Sequence, residues 1–220
     1  MSAHVIGAAL GEAPVVLLLP AIFGVTRGIE ELAGRIADQG YTVVAPDMFW
    51  RTTPGPLGYE GADREKAQAR YKAFDAEQGS ADIGALVTWA KREAGAPKVG
   101  VIGICFGGRY ALLACAHHDA DAGVSYHGTY LERHLQQFAE VSAPLSLHFG
   151  ESDPHTPMAE VERMRDAARG NPLVEIYTYE GAGHGFMQHD RPSYHAAAAE
   201  LAFARGMRTL RAALAPGGAT

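Results

Sequence analysis

The stretch PKVGVIGICFGGRYALLACAHH, residues 97–118, decides the fold. An apolar, β-branched run passes through a glycine-rich turn into a segment with helical spacing, and Cys105 stands at the joint. Three templates compete for that turn. A dinucleotide fingerprint needs a glycine where Cys105 sits, so the close backbone approach to a pyrophosphate is blocked. A phosphate loop has the right spacing from Gly103 to Gly108, but Arg109 and Tyr110 replace the lysine and the hydroxyl that would hold magnesium. A nucleophile elbow, Gly-x-Ser-x-Gly with Cys for Ser, fits throughout. Gly103 and Gly107 permit the sharp strand-to-helix turn, and the following helix N-terminus favours a thiolate. The remaining alternative, a buried structural cysteine, suits Cys115 in mid-helix better than Cys105.

Outward from the elbow, short apolar runs alternate with helical segments. Strands are expected at 14–20, 41–46, 98–103, 122–128, 144–150 and 173–180. Helices are expected at 26–40, 64–79, 80–95 (with Ser80 as N-cap), 108–118, 130–141, 157–170 and 193–214. This alternation predicts an α/β fold of right-handed crossovers, a mainly parallel sheet with helices on both faces, in one domain spanning 1–220. The Pro/Gly-rich segment 51–63 is the long irregular stretch and a candidate cap or access loop.

Composition narrows the class of function. The 220 residues carry a net charge of −6 and no basic run, which argues against a nucleic-acid partner. The apolar run 15–23 is too short to span a bilayer and contains Pro20, and no Lys or Arg precedes it. The expectation is a cytoplasmic protein with no membrane partner, as a monomer or small homo-oligomer. If Cys105 and Cys115 share the elbow helix, they stand about 15 Å apart along its axis, out of disulfide reach.

A nucleophile needs a base and an orienting acid, in the chain order nucleophile, acid, histidine. The segment HFGESDPHTP (148–157) ends a strand and supplies Asp153, and YEGAGHGFMQ (179–188) puts His184 in a glycine-rich loop. Asp153 would fix the His184 tautomer, and His184 would stabilise the thiolate and protonate the leaving group. Asp47 precedes the elbow and reads as a loop-fixing carboxylate. Glu151 and His155 read as polar loop residues, and HHDAD (117–121) as solvated charge and capping, not a metal site. His127 and His148 could line the pocket, although buried, hydrogen-bonded histidines are the plainer reading. No motif calls for a cofactor or a metal.

On these motifs the chain resembles the dienelactone hydrolases (carboxymethylenebutenolidases) of the α/β-hydrolase superfamily. The likeness runs from PAIFG (20–24) to the last helix. It includes GICFGG at Cys105, the acid loop at Asp153, GAGHGF at His184, and the segments 22–51 and 70–90. The resemblance implies an oxyanion hole built from the backbone N–H groups of Ile22 and Phe106. It also marks departures. Where the family carries a glutamate that holds the resting thiol neutral, this chain has Ala21. Where the family has carboxylate-clamping arginines, it has Ala67 and Gln188, with Arg64, Arg70, Arg51, Arg109 and Arg191 as possible substitutes.

The expected function is therefore hydrolysis of small carboxylic esters or lactones by Cys105, His184 and Asp153 through a thioacyl intermediate, without specificity for dienelactone. A thioesterase would use the same parts. The alternative is a redox- or electrophile-responsive cysteine protein with little turnover. Trp50, Tyr71, Tyr126 and Phe186, with Phe49, are expected to form a partly aromatic, mostly neutral pocket for a small-molecule ester or lactone.

Overall fold

The computed structural model describes residues 1–215, so the last five positions of the expected 1–220 domain lie outside the described residues. Seven strands form one sheet: β1 (Ala3–Gly7), β2 (Val15–Leu19), β3 (Thr42–Pro46), β4 (Val99–Ile104), β5 (Ala122–Tyr126), β6 (Leu145–Gly150) and β7 (Val174–Tyr179). Their order is β1-β3-β2-β4-β5-β6-β7. Every pairing is parallel except that of β1 with β3. This is the α/β-hydrolase arrangement, with β4 at the centre.

The inner strands are buried along their whole length, as a parallel sheet covered on both faces requires. Alternate residues feed opposite cores. Val15, Leu17 and Leu19 of β2 join one cluster, and Val16 and Leu18 join the other. On one face lie α1 (Arg27–Ala37) and α6 (Ala196–Leu214). On the other lie α3 (Ala76–Arg92), α4 (Gly108–His117) and α5 (Met158–Ala168). The helix α1 shows why: Ile29, Leu32, Ala33 and Ile36 recur at i, i+3, i+4 and i+7 and are all buried. The helix α2 (Gly61–Lys72) is mostly polar and buries only Ala67 and Arg70. No helix among the described residues is long and apolar enough to cross a membrane.

The structure corrects several sequence expectations. Strand β1 was not expected; as an edge strand paired on one side it is exposed for most of its length and carries no strong apolar run. The break between α2 and α3 falls at 73–75, because the Asp75 side chain caps α3 by accepting from the N–H groups of Glu77 and Gln78. Ser80 is thus inside α3, where its hydroxyl meets His118 Nε2 at 2.8 Å. The helix expected at 130–141 is a 3₁₀ segment, Leu131–Ala139, broken at His134. Leu131 and Phe138 anchor it by burial, a spacing compatible with either helix type.

Candidate active site

The β4–α4 joint has the geometry of a nucleophile elbow. Cys105 adopts φ +53°, a left-handed conformation that non-glycine residues rarely hold. Its neighbours make that turn possible: a Cβ on Gly103 would collide with the Gly107 carbonyl, and one on Gly107 with the Leu19 carbonyl. Cys105 is partly exposed at the carboxyl end of the central strand, one turn before α4 begins.

Two distant loops converge on that sulfur. Asp153, 3% exposed after β6, accepts a hydrogen bond at Oδ2 from His184 Nδ1 (2.8 Å) and at Oδ1 from the His155 N–H (2.8 Å). His184 Nε2 then lies 3.2 Å from Cys105 Sγ. Burial alone would pull the His184 pKa down. The Asp153 carboxylate and the Cys105 sulfur together outweigh that and raise it to about 10. Ala21 lies in the same cleft and offers the sulfur no competing acceptor.

Two further histidines flank this line, and a third, His148, lies behind His127. His155 packs edge-on to His184 at 4.6 Å between ring centroids, and burial holds its pKa down. His148 is buried and satisfied, meeting the Tyr179 hydroxyl at 2.8 Å and the Ser146 hydroxyl at 3.1 Å. His127 is different. It is 0% exposed, adopts φ +40°, and neither ring nitrogen has a hydrogen-bond partner among the described residues. Its ring stands 4.9 Å from that of His184. Burial and the His184 charge hold its pKa far below the ordinary value. The expectation of a satisfied histidine holds for His148 and fails for His127.

Cys105 and His184 open into a cleft of about 350 Å³, with Ile22, Phe106, Tyr71 and Tyr130 on its walls. The Ile22 N–H has no backbone acceptor among the described residues. Its carbonyl is held by Arg70, whose Nε donates at 2.8 Å while Nη1 donates to Thr53 and Gly55 carbonyls. Arg70 is therefore a clamp on the loop, not a cleft residue. Asp47 acts as expected of a loop-fixing carboxylate, accepting from the Phe49 and Gly55 N–H groups.

Four expected pocket aromatics lie elsewhere, among them Phe49, which is buried against Phe74 and Phe106. Trp50 borders a separate groove beside β1, where Arg51 stacks on it. Tyr126 and Phe186 are fully buried: Tyr126 donates to the Ala202 carbonyl and Phe186 packs on Tyr179 and His127. A strand-end or loop position does not by itself turn a side chain toward the cleft. Tyr71 does line it, stacked on Tyr130 at 5.9 Å; Tyr130 was missed because it reads as the start of a helix. The expected neutral lining is also corrected. Arg64, Lys72 and Arg191 line the cleft with Gln68 and Gln188, and among the described residues no carboxylate is on its wall. Arg191 is braced over Tyr59 at 4.4 Å. Arg51 pairs with Asp82 at the surface, and Arg109 is buried against Phe106 and Tyr110. The HHDAD segment is tied up in ion pairs and hydrogen bonds, with Lys91 and Lys98 on its aspartates.

Comparison with known proteins agrees with this geometry. The model of the dienelactone hydrolase family matches residues 1–214. A carboxymethylenebutenolidase of Pseudomonas putida is 35% identical over 207 residues, covering 90% of this chain and 88% of its own. Another, from a Pseudomonas species, is 31% identical over 214 residues, covering 95% and 89%. The crystal structure of a dienelactone hydrolase homologue from Klebsiella pneumoniae superposes with a TM-score of 0.81 at 27% identity, covering 94% of this chain and 91% of that one. With the elbow, the sheet order and these matches together, the chain belongs to the dienelactone hydrolase family.

Proposed function

We propose that this hydrolase cleaves small carboxylic esters or lactones that carry an anionic group, with Cys105 as nucleophile. The observation that carries the reading is the unbroken line from Cys105 Sγ to His184 Nε2 (3.2 Å) and from His184 Nδ1 to Asp153 Oδ2 (2.8 Å). The thiolate attacks the carbonyl carbon, and the N–H groups of Ile22 and Phe106 receive the oxyanion. The C–O bond to the leaving group breaks as His184 gives its Nε2 proton to the departing alkoxide. Neutral His184 then takes a proton from water, the hydroxide attacks the thioester, and the acid leaves as the Cys105 thiolate returns. Asp153 holds the His184 tautomer throughout.

The charge of the cleft supports the substrate class. Arg64, Lys72 and Arg191 face it in a chain of net charge −6, so the cleft is a local positive potential that draws in and orients an anion. Arg64 and Arg191 each lie three positions from the sites where the family resemblance places its clamping arginines, one helical turn in the case of Arg64. The test is steady-state turnover of a short activated aryl ester and of its carboxylate-bearing analogue, by wild type and Cys105→Ala. Sustained turnover lost in the variant, with kcat/KM at least tenfold higher for the charged ester, is expected. Turnover that survives in Cys105→Ala, or a preference for the neutral ester, would overturn the reading. A stoichiometric burst without turnover would return Cys105 to the role of an electrophile sensor.

A further inference from the structure

We propose that Cys105, His127 and His184 together form a binding site for a thiophilic divalent cation, zinc above all, whose occupation arrests the cleft. Coordination itself is independent of the hydrolase reading; the arrest rests on it.

The donor atoms of these three residues all lie within 4.8 Å of one another. That is close to the geometry a tetrahedral site needs: with Zn–S near 2.3 Å and Zn–N near 2.0–2.1 Å, donors stand about 3.3–3.6 Å apart. The Cys105–His184 separation of 3.2 Å must open by a few tenths of an ångström, and the His127 ring must close in by roughly 1 Å. The proton shared by Sγ and Nε2 leaves to solvent as the metal takes its place.

Two features make this more than a chance cluster. His127 is 0% exposed and has two unpartnered ring nitrogens, a costly arrangement that a metal bond would relieve. The proposed ligand His184 already presents its other nitrogen to a carboxylate, Asp153, at 2.8 Å, which is the outer support that metal-bound histidines generally have. Cys105 and His184 face the cleft, leaving a fourth position for water. One sulfur and two imidazoles favour zinc over magnesium or calcium, which take oxygen ligands. A bound cation would occupy both the nucleophile and the proton carrier, so inhibition should be complete and reversed by a chelator.

Zinc affinity is measured on the whole chain by competition with a chromophoric chelator, and cobalt(II) is used as a spectroscopic stand-in. Wild type should bind one zinc per chain and show a thiolate-to-cobalt charge-transfer band. Cys105→Ala should lose the band. His127→Phe and His127→Asn should bind zinc at least tenfold more weakly while retaining ester turnover, and asparagine tolerates the left-handed backbone at this position. X-ray absorption on zinc-loaded wild type needs no variant and should count one sulfur and two imidazoles. Unchanged zinc affinity in both His127 variants, a single imidazole in the absorption spectrum, or no charge-transfer band would each overturn the site. Magnesium should neither bind nor inhibit. If the chain shows no ester turnover under any condition, the hydrolase reading falls while the binding measurements still decide the site.

Discussion

Cys105 and Cys115 sit ten positions apart on one strand–turn–helix unit, and their surroundings make them different chemical groups. Cys105 ends a strand in a left-handed turn, half-open to a cleft, with an imidazole 3.2 Å away. Cys115 is enclosed between α4 and β5, close against Gly123, and burial pushes its thiol up to about 12. The contrast lies in three supports that only Cys105 has, and on which its proposed role as nucleophile rests: a turn that lifts it off the sheet, a histidine, and a carboxylate behind the histidine. Cys115 has none of them and behaves as a small apolar side chain.

The sharpest way to break this contrast is truncation. Cys105→Ala should lower ester turnover about 10⁴-fold or more, whereas Cys115→Ala should leave it within twofold and lower Tm by about 2–4 °C, as initial rates and thermal melts would show. Next comes the carboxylate. Asp153→Asn keeps the size but offers His184 the wrong partner, and kcat should fall about 10³-fold with little change in the melting curve. Alkylation compares the two thiols directly. At pH 7 iodoacetamide followed by peptide mapping should label Cys105 at least about a hundredfold faster than Cys115, which reacts only on unfolding. A smaller effect is expected at the oxyanion loop: Arg70→Met removes three hydrogen bonds to the Ile22, Thr53 and Gly55 carbonyls and should lower kcat about tenfold and stability by about 2–3 kcal/mol.

The last comparison lies in the pH dependence of stability, and it sets His148 against His184. Burial depresses the His148 pKa to about 3, so between about 6.5 and 3 the unfolded chain takes up a proton that the folded chain refuses. Stability from this group is therefore full above pH 6.5 and declines as pH falls, by at most about 1.4 kcal/mol per unit. His184 has the opposite sign. Its raised pKa, about 10, gives a stabilisation present below pH 6.5 and lost as pH rises toward 10. Urea melts of His148→Gln should show a flatter acid limb and those of His184→Gln a flatter alkaline one.

Much of this was legible in the sequence, for identifiable reasons. The alternation of β-branched runs with helix-period segments reports burial on two faces directly, so the parallel sheet and its helices could be read. Gly103 and Gly107 mark the elbow because only glycine avoids the Gly107 and Leu19 carbonyls. Asp153 and His184 follow from chain order and strand-end position. The lining of the cleft did not follow, because it depends on which way a side chain leaves a loop. Tyr126 and Phe186 point inward, Trp50 turns to another face, and Arg64 and Arg191 enter the cleft from neighbouring turns. Nor could the sequence distinguish His127 from His148: both end or follow a strand, and only the packing shows that one has partners and the other has none.

The Arg70 clamp has a mechanical consequence. Its guanidinium grips the Ile22 carbonyl on one side and the Thr53 and Gly55 carbonyls on the other, while the Leu57 N–H is hooked to the Phe23 carbonyl. The Pro/Gly segment and the loop that bears the Ile22 amide are thereby interlocked. Any swing that carries residues 53–57 outward drags on residues 22 and 23 or snaps the link. The position of the Ile22 amide is thus set from outside the cleft: Pro54, Gly55 and Pro56 border a separate groove with Ser2 and His4, and a disturbance there reaches residue 22 through a single guanidinium.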